Sequence, residues 1–229
     1  MTTTTDAALY RLMTWLSPAY PLGAFSYSHG LEYAVEDGRV RNAAQLTEWI
    51  GAAVEQGAGR IDAALLSAAW RTMGDQNMRR MTELVELGAA WRGTAETALE
   101  SAAQGAAFIA ITCAAWPHPR LEALVDAVGN RLALSVAVGS AAAIHAMPLP
   151  AVLTAYLQAF SANLVSAGVR LVPLGQTDGQ RASAALEPVV ARAAVAAMAA
   201  DLDDLGTASP LLDWCSMKHE TQYTRLFRS

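Results

Sequence analysis

Helical periodicity runs through almost the whole chain. Leu9, Leu12, Met13 and Leu16 recur at i, i+3, i+4 and i+7 behind Asp6, which predicts a first helix over Ala7 to Leu16 with Asp6 as N-cap. Ser17-Pro18 ends it, and a loop punctuated by proline and glycine continues to Gly23. A second helix is expected over Ser26 to Glu36, stopping at Gly38. Asn42 with Gln45 forms a capping box ahead of Leu46, Trp49, Ile50 and Val54. Gly57 and Gly59 interrupt the pattern. Helices then read over Ile61 to Met73, Met78 to Trp91 and Thr94 to Trp116, the last closed by Pro117 and Pro119. Leu121 to Val128 and Leu132 to Ala146 follow, and Pro150 suits the first turn of a long helix reaching Val169. Thr177 with Gln180 makes a second capping box, for a helix to Ala199 that Pro188 should kink or split. A loop from Gly206 to Pro210 leads into a last short helix near Leu211 to His219. Val169 to Leu174 is the nearest approach to a strand, and it lacks convincing alternation. The pattern therefore predicts an all-α fold, one compact domain over residues 1–229 with about ten helices. Loose ends are expected at residues 1–6 and 220–229.

Composition supports a packed core. Hydrophobic residues make up 53% of the 229 and charged residues only 16%, far from the balance of a disordered chain. A net charge of -5 gives no electrostatic case for nucleic acid, which favours a basic face. The N-terminal threonine run carries neither basic residue nor apolar stretch, so it reads as no secretory signal, and the cytoplasm is expected. Two cysteines, Cys113 and Cys215, build no disulfide framework. One feature raises the question of a membrane: Leu132 to Val169 and Ser101 to Pro119 contain no Asp, Glu, Lys or Arg. The longer stretch is cut by Pro148 and Pro150, carries His145, Gln158 and Asn163, and leans on alanine. It reads as a buried helical pair rather than a membrane hairpin.

Common catalytic signatures are missing. The only lysine is Lys218, and no Gly-rich loop with a following lysine exists to cradle phosphates. There is no nucleophile elbow, no H-E-x-x-H and no C-x-x-C. Of the histidines, His145 reads as a hydrogen-bonded core residue, and His118 as incidental on a surface loop between prolines. Cys215 and His219, four apart, share one helix face. That spacing suits half a zinc or nickel site, or a nucleophile and base. Without a further ligand pair or an orienting acid nearby in sequence, the plainer reading is a cysteine packing a helix.

Three segments carry more specific information. In Leu16–Glu32 (LSPAYPLGAFSYSHGLE), Ser26 is placed to cap a helix while His29 and Glu32 share a face; the plainer alternative packs Phe25, Tyr27 and Leu31 into the core. In Val169–Arg181 (VRLVPLGQTDGQR), Gln176, Asp178 and Arg181 crowd a helix N-terminus that favours anions or a partner's carboxylates, or simply forms a cap. In Ser216–Ser229 (SMKHETQYTRLFRS), Arg225 and Arg228 mix with Tyr223, Leu226 and Phe227, the residue types of interaction hot spots, preceded by His219, Glu220 and Gln222. So short a tail either orders against a partner or folds back on its own domain.

Together these segments resemble the UreF family of urease accessory proteins. The resemblance implies an all-α protein that dimerises, has no catalytic residues or cofactor of its own, and binds a second accessory protein, UreD (also called UreH). It further implies that the pair recruits the nickel-carrying GTPase UreG, docks on apo-urease and governs GTP hydrolysis and nickel release. On that reading the residues of the three segments bind partners. The alternative is a helical enzyme or direct nickel carrier built on Cys215 and His219.

Overall fold

The computed structural model describes residues 5–229. Eleven α-helices and one short 3₁₀ turn account for the regular structure of these residues, and none of it is strand. The elements are α1 (Asp6–Trp15), the 3₁₀ turn (Ala24–Ser26), α2 (Leu31–Glu36), α3 (Ala43–Glu55), α4 (Ala58–Gly74) and α5 (Met78–Ala90). They continue with α6 (Ala95–Ala115), α7 (Pro119–Val128), α8 (Leu134–Ile144), α9 (Leu149–Leu171), α10 (Gln176–Met198) and α11 (Pro210–His219).

The uncharged stretch supplies the centre. Ser135 to Ala142 of α8 are buried in succession, as an all-round apolar helix requires. It packs along α4, whose Ile61, Leu65, Leu66 and Ala69 are buried beside it. The approach is close enough that a Cβ on Gly139 would sit 2.4 Å from the Leu66 carbonyl oxygen, so glycine is required there. Around this pair, α9 and α10 run together, with α3 against both. Two helices, Ala95–Ala115 and Leu149–Leu171, are long and apolar enough to cross a membrane by length and composition. Each instead contributes core residues here, Phe108 and Ile109 from α6, Val152, Leu153 and Leu157 from α9. At one end Trp15 is fully buried, edge-on to Phe108, Trp116 and His145 at 5.4–5.9 Å between ring centres.

Local differences from expectation have local causes. Thr5, not Asp6, caps α1, accepting a bond from the Ala8 N–H at 3.2 Å. Half of the capping box at Asn42 forms: its side chain accepts from the Gln45 N–H, while Gln45 Oε1 takes the Arg41 N–H rather than that of Asn42. The second one does not: α10 starts at Gln176, ahead of Thr177, behind Gly175 in extended conformation. That helix also runs through Pro188 as one element. An interior proline costs about 3 kcal/mol, and burial of Ala182, Leu186, Val190 and Ala194 along one face offsets it. The expected helix from Ser26 is replaced by the 3₁₀ turn and a non-helical link before α2. Residues 1–4 of the expected loose N-terminus lie outside the described residues.

Candidate functional site

The C-terminal end is seated rather than loose. Of the two arrangements open to it, the structure lays residues 220–229 back on their own domain, across α2, α6 and the link that replaces the first turn of the expected second helix. Backbone bonds tie the two segments: Ser28 N–H donates to the Ser229 carbonyl at 2.7 Å and Arg228 N–H to the Ser26 carbonyl at 2.7 Å. This explains why Ser26 caps no helix. Its hydroxyl donates to the Gly23 carbonyl and its own carbonyl receives the tail. Peptide groups of the link pair with the tail instead of continuing a helical ladder.

The turn into α2 is built by two residues with positive φ, His29 at 52° and Gly30 at 74°. Glycine is obligatory at the second, because a Cβ there would lie 2.5 Å from the Ser216 nitrogen of α11. His29 therefore lies outside α2 and does not share a helical face with Glu32. The two belong to one polar cluster by another route.

Glu32 is its hub. The carboxylate, nearly buried, accepts from the Leu226 N–H at 2.7 Å and the Phe227 N–H at 2.9 Å. His219, wholly buried, places Nε2 at 3.1 Å from Glu32 and Nδ1 at 2.7 Å from Glu96. Glu96 also receives the Arg225 guanidinium at 2.7 Å. One turn along α6, Glu100 accepts from His29 Nε2 at 3.1 Å, Gln104 at 2.9 Å and the Ser229 hydroxyl at 3.2 Å. Burial alone would push His29 down, but the charge and hydrogen bond of Glu100, with Asp62 beyond it, hold its pKa above the usual range. Glu220 accepts from the Ala95 N–H at the start of α6, where a carboxylate complements the helix dipole. Gln222 donates to Glu36.

What the tail turns outward is equally distinct. Phe227 is buried under the Arg170 guanidinium, 4.4 Å from its ring centre, whereas Tyr223 is fully exposed and Leu226 is 74% exposed. Arg228 is exposed. Gln176, Asp178 and Arg181 sit at the α10 N-terminus, where Arg181 pairs with Asp178 at 3.0 Å; no hydrogen bond among the described residues joins these three to the tail cluster. Sequence reasoning missed Ser28, Glu96, Glu100 and Ser229. The available signal was Glu96, Glu100 and Gln104 at i, i+4 and i+8, a polar stripe on an otherwise apolar helix.

The Cys215/His219 pair is not assembled. Cys215 is buried in the core, where burial pushes its thiol up to about 11, so it is held as the unreactive thiol. His219 has both ring nitrogens engaged by carboxylates on opposite sides of the ring, which diverge rather than converge. Among the described residues no three His, Cys, Asp or Glu side chains are grouped to hold a metal ion.

The family model for UreF matches residues 40–187. The urease accessory protein UreF of Granulibacter bethesdensis is 54% identical over 226 residues, covering 99% of this chain and 96% of that protein. The chain belongs to the UreF family. Proteins of the same name from Rhodopseudomonas palustris BisA53 and a Bradyrhizobium species are 51% and 50% identical, covering 97% and 100% of this chain and 94% and 95% of their own lengths. The family model spans the helical centre, while these full-length matches extend over the tail and most of the link it packs on. The cluster thus lies in UreF-type sequence throughout.

Proposed function

We propose that this chain is a non-catalytic subunit of the urease maturation machinery, a cytoplasmic homodimer that joins UreD (UreH) to the GTPase UreG on apo-urease. In this role it regulates when GTP is hydrolysed and nickel released. The observation that carries the reading is the seated tail: an irregular segment fixed in place by Glu32, Glu96 and His219, which presents Tyr223 and Leu226 to the outside. Large amphipathic and aliphatic side chains on a pre-ordered backbone suit a docking surface, because little conformational entropy remains to be lost on binding. Ser26, His29 and Glu32 act within that surface by holding it, and Arg228 extends its exposed side. Gln176, Asp178 and Arg181 form a separate charged patch for a second partner. The raised Cys215 pKa and the doubly engaged His219 disfavour the enzymatic alternative.

The test is the nickel content of urease purified from cells expressing its structural subunits and accessory set with or without this chain. Loading that falls severalfold without the chain and returns when it is supplied supports the proposal. Equal nickel content in both preparations would refute it.

A further inference from the structure

The seat of the tail is assembled from ionisable side chains that are largely buried. His219 is enclosed between two acids, with Nε2 at 3.1 Å from Glu32 and Nδ1 at 2.7 Å from Glu96, and these carboxylates are only 7% and 12% exposed. Both contacts lie within hydrogen-bond distance. A neutral imidazole carries one N–H, so it donates to one acid and turns a lone pair on the other. Two satisfied contacts therefore need one proton more than a neutral ring between two ionised acids holds. That proton makes the ring an imidazolium or sits on one acid beside a neutral ring, and the count is the same. No neighbour substitutes for it. Arg225 reaches Glu96 from the tail but takes its other oxygen. Glu100, one turn along α6, is engaged by His29, Gln104 and Ser229. On α11 itself, Cys215 is turned into the core with its thiol pushed up to about 11. Lys218 lies over the Trp214 ring, and Glu220 accepts the Ala95 N–H.

We infer that the tail is a proton-operated latch, seated while Glu32, His219 and Glu96 share this proton and lifted when it is lost. The same two acids hold the tail, Glu32 through the Leu226 and Phe227 N–H groups and Glu96 through Arg225. Without the proton, a lone pair faces a carboxylate inside a buried seam, and two like charges oppose each other across the ring. Lifting the tail lets water solvate all three groups. His29 on Glu100, which also receives the Ser229 hydroxyl, acts in the same direction. The seated form binds more protons than the lifted form above about pH 6.5, where a solvated imidazole is neutral. Seating is therefore favoured at lower pH and lost as pH rises through that range.

Native-state hydrogen exchange of the Leu226 and Phe227 amides in the full chain measures lifting, once corrected for the intrinsic pH dependence of exchange and referred to amides of α8. Between pH 6.5 and pH 8.5 the lifted fraction is expected to rise by at least ~10-fold, since one linked proton changes the equilibrium by up to about tenfold per pH unit. Glu96→Gln removes the need for the proton, because its amide donates to Nδ1 while Nε2–H donates to Glu32. The tail of this variant stays seated, and only the part of the rise due to His29 remains. Adding His29→Gln leaves the profile flat. A flat profile in the native chain, or one equally steep in the double variant, overturns the latch.

Discussion

Glu32 does several jobs with one carboxylate: it accepts two tail amides and holds His219, which Glu96 grips from the other side. Removing the side chain strands a buried imidazole and two amides together. Glu32→Ala is therefore expected to cost about 3 kcal/mol, read by chemical denaturation, and to speed amide exchange at Leu226 and Phe227. Unchanged exchange at those amides would mean the tail is held by something else. His29 carries a pH signature. Its folded pKa is raised above the ordinary 6.5, so its contribution is fully present below that value and is lost as pH rises through the higher folded pKa. Thermal stability of the native chain should fall on going from pH 6 to pH 8 relative to His29→Gln, whose profile over the same window is flatter. At Gly30 the demand is steric. Gly30→Ala, with φ of 74° and a Cβ against Ser216, should destabilise by at least ~2 kcal/mol.

At the scale of elements, the predicted helices fall within a few residues of those observed where start and stop signals are local. Asn42 and Pro150 mark helix starts through backbone chemistry within a turn of themselves. The failures share a cause in distant partners. The link at Ser26 to Gly30 reads as helix because the segment that takes its backbone bonds lies about 200 residues away. Pro188 reads as a break because the packing that overrides it comes from α3 and α9. The site was legible in the same uneven way. His29, Glu32 and His219 stand out as polar residues in segments of definite character, but their grouping depends on α6, whose Glu96 and Glu100 look like ordinary surface acids in sequence. At Cys215 and His219, four apart, the plainer reading holds: the cysteine packs in the core while the histidine one turn on faces a carboxylate pair. Cys215→Ala should leave urease activation in cells at the parental level with normal protein abundance. Loss of activation at normal abundance would restore the thiol to consideration.

Across the described residues, an apolar helical centre supports a polar seam where the C-terminal tail meets Ser26 to Glu32. The centre explains the low charge content: α8 is enclosed by α4, α6 and α9 and has no water to face. The seam explains why two of the three specific segments are Leu16–Glu32 and Ser216–Ser229, since their backbones bond to one another. Tyr223 and Leu226 project from that seam without supporting it, so they separate docking from folding in a way that deleting the tail does not. Co-expression of the chain with UreD and UreG, followed by affinity capture, puts this to the test with the native protein beside the double variant Tyr223→Ala, Leu226→Ala. The expected result is a stable complex with the native chain and loss of at least ~10-fold in captured UreD with the variant, at unchanged melting temperature, as removal of two hot-spot side chains implies. Capture of neither partner by the native chain, or equal capture by the variant, would contradict the account.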